Sequence, residues 1–330
     1  MCGIAGYLGR TPNPIISLNK MAKAINHRGP DNSDNWVDEN DGIGFAHARL
    51  SILDLSSAGH QPMHSVSQNF VMIFNGEIYN HSALRSELDS INQRNWYGHS
   101  DTETLLAAIE EWGLDRTLKK AKGMFAIALW SKRNKSLYLA CDRVGEKPIY
   151  YGWVNDQFVF ASELKAIKKF PKFNNSIDRS SLALFLRLNS IPAPYSIYKD
   201  IYKVEPGQII RLEAGSKKIE RQNFWSTEKV YDEGNMNQFS FSSSEAVNQL
   251  ESVLSSAVSS QMQSDVPLGA FLSGGIDSST VVALMQSFSN NKVNTFTIGF
   301  NAKEFDEAKH AGMVAKHLGT NHFEKYVTEG

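Results

Sequence analysis

Cysteine is scarce in this chain, and neither sign of charge dominates, which together exclude several classes of protein. The 330 residues include two cysteines, Cys2 and Cys141, and no CxxC or cysteine–histidine cluster. We therefore expect neither a disulfide framework nor a structural zinc site. Lys and Arg total 34 against 35 Asp and Glu, a net charge of −1. This balance predicts no nucleic-acid partner, because such binding needs a basic surface.

Long apolar runs are also missing. Residues 125–130 and 182–186 are among the longest, and both are far too short to span a bilayer. The first ten residues lack the basic and apolar stretches of a signal peptide. We therefore expect a cytoplasmic protein with no membrane association. The length exceeds what one compact core usually holds, so two domains are expected.

Residues 1–213 are predicted to form an α+β domain. Short apolar or alternating runs bounded by Gly, Asn, Asp and Pro are typical of strands, and three segments have helical periodicity. Many strands with few intervening helices favour a layered α+β fold over a repeating βα pattern. The predicted strands are 2–8, 43–50, 70–74, 124–130, 137–141, 149–153 and 158–161, and the predicted helices are 15–25, 82–88 and 102–112.

The pattern changes after residue 213. Residues 214–243 are polar and turn-rich, and we interpret them as a linker that holds at most one edge strand. Residues 244–330 alternate helices and strands, which predicts parallel strands with right-handed crossovers. The predicted helices are 244–262, 278–288 and 306–318, and the predicted strands are 267–272, 293–298 and 322–327.

Cys2 has unusual chemical potential because of its position. Removal of the initiator methionine would give the residue both a thiol and a free α-amine. The amine titrates near pKa ~7.7–8.0 and the thiol near ~8.5, so the amine can act as the base for its own thiol. Cys141, in an apolar run, is expected only to pack in the core.

Seven motifs give Cys2 a context. In this order and at this spacing, they resemble the class II glutamine amidotransferase domain at the front of glutamine-dependent asparagine synthetases. The resemblance covers residues 1–212 and implies an N-terminal nucleophile hydrolase fold with layers in the order αββα. The motifs are MCGIAGYLG (1–9), HRGPD (27–31), ARLSILDL (48–55), FNGEIYNH (74–81), SDTETLL (100–106), GMFAIALWS (123–131) and DRVGEKPIYY (142–151).

The resemblance implies roles for individual residues. Cys2 would attack the side-chain amide of glutamine, form a γ-glutamyl thioester and release ammonia. The Asn75 side chain and the Gly76 backbone N–H would stabilise the oxyanion. Arg49 would bind the α-carboxylate of glutamine, and Asp101 would accept a hydrogen bond from its α-ammonium group. The remaining glutamine-binding positions would be Glu77 and the segment Leu50, Ser51, Ile52 and Leu53.

A second motif, FLSGGIDSS, follows a predicted strand and opens a predicted helix, where backbone N–H groups and the helix dipole attract anions. It resembles the pyrophosphate loop of the ATP pyrophosphatase family, so ATP and Mg²⁺ are expected. Asp277 is the candidate magnesium ligand. Leu272 and Ile298 would flank the nucleotide, with ordinary core packing as the alternative. The phosphate-binding candidates are Ser273, Gly274, Gly275, Asp277 and Ser278.

The two resemblances imply a glutamine-hydrolysing asparagine synthase, which amidates aspartate through an acyl-adenylate and releases AMP and pyrophosphate. Three alternatives stay open: amidation of another carboxylate such as a sugar acid in surface-polysaccharide synthesis, glutaminase activity alone, and an inactive regulatory relative. The family's synthetase domain continues well beyond the motifs present here, so we expect either a truncated chain or a partner chain that completes the site. A homodimer is also possible.

Overall fold

A computed structural model of the protein describes residues 2–301 and 306–327. Met1, which the sequence analysis expects to be removed, lies outside the described residues. The chain divides into two compact units, Met1–Asn237 and Gln238–Gly330. This boundary lies inside the segment 214–243, which the sequence analysis interprets as a linker. Among the described residues, no helix is both long and apolar enough to cross a bilayer.

The first unit contains twelve strands and seven α-helices among its described residues. The strands are β1 (Gly3–Leu8), β2 (Asn32–Asp38), β3 (Ile43–Arg49), β4 (Met63–His64), β5 (Phe70–Ile78), β6 (Gly123–Ser131), β7 (Ser136–Cys141), β8 (Tyr150–Val154), β9 (Gln157–Ala161), β10 (Ile201–Lys203), β11 (Gln208–Glu213) and β12 (Glu220–Asn223). The helices are α1 (Pro14–Ala24), α2 (His81–Ile91), α3 (Asp101–Trp112), α4 (Leu114–Lys120), α5 (Leu164–Ile167), α6 (Arg179–Leu188) and α7 (Thr227–Met236).

These strands form two six-stranded antiparallel sheets. The first has the order β10-β8-β9-β1-β3-β2, and the second has the order β12-β11-β7-β6-β5-β4. Alternating side chains of both sheets meet in one apolar layer, in which Phe45 and Phe160 of the first sheet lie with Ile73 and Trp130 of the second. Cys141 is buried in this layer, which confirms its packing role.

Helices cover the outer face of each sheet. Leu18 and Met21 of α1, with Ile167 of α5, pack on the first sheet. Helices α2, α3 and α4 pack on the second sheet through a cluster that includes Leu84 and Leu105. The layers therefore follow the order helix, sheet, sheet, helix, and the predicted αββα architecture is confirmed.

The second unit has a three-stranded parallel sheet. Its described elements are α8 (Ser243–Ser260), β13 (Gly269–Phe271), α9 (Ile276–Phe288), β14 (Asn294–Phe300), α10 (Ala308–Leu318) and β15 (Asn321–Val327). The strand order is β13-β14-β15, and both pairings are parallel. A small core joins Leu272 to Val282 of α9 and to Ala311 and Ala315 of α10. The predicted β-α-β-α-β sequence with parallel strands is confirmed.

The segment 214–243 holds more regular structure than the sequence analysis expects. β12 is an edge strand paired with β11, and α7 follows it. Helix α7 begins with Ser226, whose side chain accepts a hydrogen bond from the backbone N–H of Lys229. The expected edge strand is present, but the helix was not predicted; the domain bounds themselves stay a prediction.

Candidate active site

The candidate nucleophile, Cys2, lies directly before β1, at the end where β1 and β3 meet. Gly3 pairs with Ala48, so Cys2 is brought beside the end of β3. Its Sγ atom lies 3.4 Å from the backbone nitrogen of Leu50, which donates to it. Arg28 Nε donates to the carbonyl oxygen of Cys2 at 2.9 Å. Burial raises the pKa of the Cys2 thiol, so a base is needed to remove its proton near neutral pH.

The edge of β5 supplies a row of backbone N–H groups. Antiparallel strands direct the N–H and C=O of alternate residues away from the partner strand. The Phe74 N–H donates to Gln61 Oε1 at 2.6 Å, and the Phe74 carbonyl accepts a hydrogen bond from His47 Nε2 at 3.1 Å. The Ile78 N–H donates to Asp101 Oδ2 at 2.8 Å. The alternation therefore directs the N–H of Gly76, between them, to the same side, away from β6.

The side chains of Gln61 and Asp101 thus accept hydrogen bonds from the N–H groups of Phe74 and Ile78, in the place that a neighbouring strand would occupy. β4 pairs with β5 only at Val71 and Met72, so it does not reach Gly76. A Cβ atom at position 76 would lie 2.2 Å from the Met124 carbonyl oxygen, so glycine is required there by close packing against β6. Gly76 also lines the cavity beside Cys2. Its N–H is available to an oxygen in that cavity.

Asn75 has an unpaired side chain in a buried position. It is 1% exposed, and among the described residues neither its Nδ2 nor its Oδ1 atom has a hydrogen-bond partner. A buried amide without partners costs about 1–3 kcal/mol of folding free energy. Such a cost is typical of functional sites, where a donor is reserved for a ligand. Asn75 and Gly76 are the two residues predicted to form the oxyanion hole.

Arg49 ends β3 and is buried beside the same cavity. Its Nη2 atom donates to the carbonyl oxygen of Asp54 at 2.5 Å, and its Nη1 atom donates to the carbonyl oxygen of Ser56 at 3.1 Å. Among the described residues it forms no ion pair with a carboxylate, so its charge is not neutralised by an acidic side chain. The guanidinium group is held in one orientation and can still attract an anion.

Two carboxyl groups, Asp101 and Glu77, also line the cavity. Asp101 opens helix α3, after the N-cap residue Ser100. Burial raises the pKa of Asp101. Burial and then the nearby charge of Asp101 raise the pKa of Glu77. A pair of carboxylates that repel each other in a buried place is stabilised by a cation between or beside them.

Apart from Asn75, which is not among the lining residues, these groups line one narrow cavity of about 30 Å³. Leu50, Ile52 and Leu53 line it as predicted, whereas Ser51 lies outside the lining and its N–H donates to Asp31 Oδ2 at 2.8 Å. The cavity thus combines a thiol, a cationic group and two carboxyl groups within one small space. The full lining is Cys2, Arg49, Leu50, Ile52, Leu53, Gly59, Gln61, Phe74, Gly76, Glu77, Ser100, Asp101 and Thr102.

In the second unit, the predicted phosphate loop connects β13 to α9. Gly274 has φ +82°, and a Cβ atom there would lie 2.7 Å from the backbone nitrogen of Ala311, so only glycine fits. Ser278 Oγ accepts from the Ser273 N–H at 3.2 Å and lies 2.9 Å from Ser273 Oγ. No side chain caps α9 at Gly275, so its first N–H groups remain available to an anion.

The other candidates of the second unit are placed differently. Asp277 lies in the first turn of α9, and among the described residues its side chain has no ion pair or hydrogen bond. Leu272 is buried in the core of the unit, which favours the packing role that the sequence left as the alternative. Ile298 lies on β14 with its side chain half exposed. A single carboxylate fits Mg²⁺ only where phosphate oxygens complete the coordination.

Comparison with known proteins identifies the first unit. A family model described as "Glutamine amidotransferase domain" matches residues 1–225, and one described as "Asparagine synthase" matches residues 249–330. The chain belongs to the glutamine amidotransferase domain family. The second match covers only part of the chain, after the amidotransferase domain, and both resemblances named from the sequence are confirmed.

Curated relatives of this amidotransferase match the chain over almost its whole length. A Methanocaldococcus jannaschii protein named as a glutamine-hydrolysing asparagine synthetase is 35% identical over all of this chain and 65% of its own length. Asparagine synthetase 1 of Bacillus subtilis is 34% identical over 99% of this chain and 50% of its own length. The chain therefore spans about half to two thirds of the length of these curated relatives.

Solved structures support the fold alone. The glutamine phosphoribosylpyrophosphate amidotransferase of Bacillus subtilis matches 98% of this chain and 65% of its own, with a TM-score of 0.50 and 15% identity. An allosteric regulatory enzyme of purine biosynthesis matches 98% of this chain and 80% of its own, with a TM-score of 0.51 and 14% identity.

The structure adds residues to the amidotransferase site that the sequence analysis did not single out. Gln61, Ser100 and Thr102 line the cavity, and Gln61 Nε2 donates to Thr102 Oγ1 at 3.3 Å. Ser100 and Thr102 flank Asp101 in a motif already noted, so their position in sequence was a usable signal. Gln61 lies outside the seven motifs, and only the fold brings it to Phe74.

Proposed function

We propose that the first unit hydrolyses glutamine to glutamate and ammonia, with Cys2 as the nucleophile. The observation that carries this proposal is that Gly76 lines the same cavity as Cys2. The adjacent residue, Asn75, is outside that lining and keeps a buried side-chain amide with no partner among the described residues. A cavity with a nucleophile and reserved hydrogen-bond donors is suited to acyl transfer.

The chemistry follows from these groups. With Met1 removed, the α-amine of Cys2 takes the thiol proton, and the thiolate attacks the side-chain carbonyl carbon of glutamine. The oxyanion that forms accepts hydrogen bonds from Asn75 Nδ2 and the Gly76 N–H. The carbon–nitrogen bond then breaks, and the amine returns its proton to the departing ammonia. Water activated by the same amine hydrolyses the thioester, which releases glutamate and restores Cys2.

Glutamine is recognised by its two charged ends. Arg49 attracts the α-carboxylate, because no acidic side chain among the described residues neutralises it. Asp101 and Glu77 attract the α-ammonium group, which offsets the repulsion between them. A small cavity lined by one cationic group and two carboxyl groups favours a zwitterion.

The finer part of the proposal is that the ammonia is used for ATP-dependent amidation of aspartate. The carboxylate would react with ATP to give an acyl-adenylate and pyrophosphate, and ammonia would then displace AMP to give asparagine. Gly274, Gly275 and the first turn of α9 would hold the pyrophosphate group, with Asp277 and phosphate oxygens binding Mg²⁺. The Mg²⁺ ion, when bound, neutralises phosphate charge. The names of the relatives support aspartate as the acceptor.

A cytoplasmic location belongs to the same proposal, since a nucleophilic thiol persists in a reducing compartment. Whether the protein forms a homodimer stays a prediction of the sequence.

The test is an activity assay with three readouts: glutamate, ammonia and pyrophosphate. We expect glutamine hydrolysis without ATP or acceptor, and pyrophosphate release that requires ATP, Mg²⁺ and aspartate. Asp277→Ala should abolish pyrophosphate release and leave glutamine hydrolysis intact. Pyrophosphate release with a sugar acid but not with aspartate would show that the acceptor is a sugar acid. Glutamine hydrolysis without pyrophosphate release, whichever acceptor is added, would show that the protein has glutaminase activity only.

Glutamine affinity should depend on pH through Asp101 and Glu77. Because burial raises both pKa values, these carboxyl groups bind protons at a higher pH than exposed carboxylates do. Protonation removes the negative charge that attracts the α-ammonium group, so affinity should fall as the pH decreases below neutrality. Titration calorimetry on the Cys2→Ala variant measures this without turnover or thiol ionisation. Asp101→Asn should weaken binding and flatten the pH profile, whereas a wild-type affinity that is constant with pH would contradict the assignment.

A further inference from the structure

Asp54 is a buried carboxylate that is not part of the cavity lining and yet contacts both Arg49 and the backbone of His99, two residues before Asp101. It is 1% exposed and adopts a left-handed backbone conformation, with φ 57°. Left-handed backbone is uncommon outside glycine and is maintained by surrounding contacts. One set of those contacts involves Arg49, and the other involves the segment immediately before Asp101.

The first set of contacts orients Arg49. The Asp54 carbonyl oxygen accepts from Arg49 Nη2 at 2.5 Å, and the Ser56 carbonyl oxygen accepts from Nη1 at 3.1 Å. The direction of these two carbonyls is set by the Asp54 side chain, whose Oδ1 atom accepts from the Ser56 N–H at 3.1 Å and from Ser56 Oγ at 2.5 Å. This local turn determines where the guanidinium group is held.

The second set of contacts holds the chain that leads into α3. Asp54 Oδ2 accepts from the backbone N–H of His99 at 2.9 Å. A Cβ atom at Gly98 would lie 2.0 Å from Asp54 Oδ2, so this close approach requires glycine. His99 is followed by the N-cap Ser100, whose Oγ accepts from the Glu103 N–H at 3.2 Å, and then by Asp101. The start of α3 is therefore tied to the turn that holds Arg49.

The charge of Asp54 is maintained in this position. Burial alone would raise its pKa, but the hydrogen bonds from Ser56 and His99 outweigh burial and lower the pKa from its ordinary value. An ionised carboxylate forms stronger hydrogen bonds than a neutral amide would. Asparagine would have an NH₂ group in place of one carboxylate oxygen. The backbone N–H that faced this oxygen, from Ser56 or from His99, would then have no acceptor, because an N–H group cannot accept a hydrogen bond.

We propose that Asp54 is a positioning residue for glutamine recognition, which fixes Arg49 and Asp101 relative to each other so that they bind the two charged ends of one amino acid. This inference rests on the proposed glutaminase function. It assigns Asp54 no contact with the substrate: its effect passes through the turn at Ser56 and the backbone of His99.

The test uses alkylation of Cys2 by iodoacetamide, a primary amide that lacks α-carboxylate and α-ammonium groups. Peptide mass analysis follows Cys2 separately from the buried Cys141. For Asp54→Asn, the glutamine concentration that halves the alkylation rate should rise about tenfold, since the variant loses a hydrogen bond to a charged group that holds Arg49 and the His99 backbone in place. The alkylation rate without glutamine should not change. Asp156→Asn, an exposed aspartate paired with Lys217, is the matched control and should behave as wild type.

The outcomes separate this inference from the proposed function. Wild-type protein whose Cys2 is not protected by glutamine would overturn the proposed function. If glutamine protects Cys2 equally well in the wild type and in Asp54→Asn, only the role of Asp54 is overturned. The same holds if the alkylation rate of the variant without glutamine changes by as large a factor as its protecting glutamine concentration. Should Asp54→Asn fail to fold, Ser56→Ala decides the question. It keeps the carboxylate and removes one donor, so we expect a smaller rise in the protecting concentration, and no rise would overturn the inference.

Discussion

Cys2→Ala is expected to abolish glutamine hydrolysis, with kcat/KM lowered by at least about 10⁴-fold. The reason is that alanine keeps the backbone in place but has no atom that can form the thioester. The measurement is glutamate and ammonia release from purified protein. Cys141→Ala is the matched control and should retain activity, because Cys141 lies in the core between the two sheets.

Binding should survive this replacement. The groups assigned to glutamine recognition, Arg49 and Asp101, do not depend on the Cys2 thiol for their hydrogen bonds. Cys2→Ala should therefore bind glutamine with an affinity close to the wild-type KM. A variant that hydrolyses glutamine at the full rate would contradict a thiol mechanism.

Asn75→Ala should lower kcat by about 10²- to 10³-fold with little change in KM, as expected for loss of one oxyanion donor. Its effect on stability distinguishes this residue from a structural one. Because the Asn75 amide is buried and unpaired among the described residues, alanine removes an unsatisfied polar group. We therefore expect a melting temperature no lower than that of the wild type.

The measurements are steady-state kinetics and thermal unfolding on the same preparation. Asn40→Ala, at an exposed position in a turn, is the matched control and should change neither. A large loss of stability with full activity in Asn75→Ala would show that Asn75 serves the fold and not the reaction.

The sequence predicts the central strands and helices well, because burial imposes a regular pattern there. β3 is buried along its whole length and β6 along most of it, and their apolar runs were recognised. The edge strand β2 was missed for the converse reason. β2 has the sequence NSDNWVD and contains no fully buried residue, so nothing in its composition distinguishes it from a loop. Its pairing with β3 is decided by the tertiary structure.

The candidate site divides in the same way. Motifs were sufficient to name Cys2, Arg49, Asn75 and Asp101, because their chemistry and order are distinctive. The hydrogen bonds that organise these residues join positions distant in sequence, such as Gln61 to Phe74 and Asp54 to His99. Such contacts leave no periodic signal. The unpaired state of the Asn75 amide likewise appears only once its surroundings are known.

The most direct test of the central claim is covalent labelling with a glutamine analogue that has a diazoketone in place of the amide. The account predicts a single label on the Cys2 sulfur, formed quickly and prevented by excess glutamine, because the analogue carries the α-groups that Arg49 and Asp101 recognise. Labelling of another residue, or no label on a preparation that is hydrolysing glutamine, would contradict it.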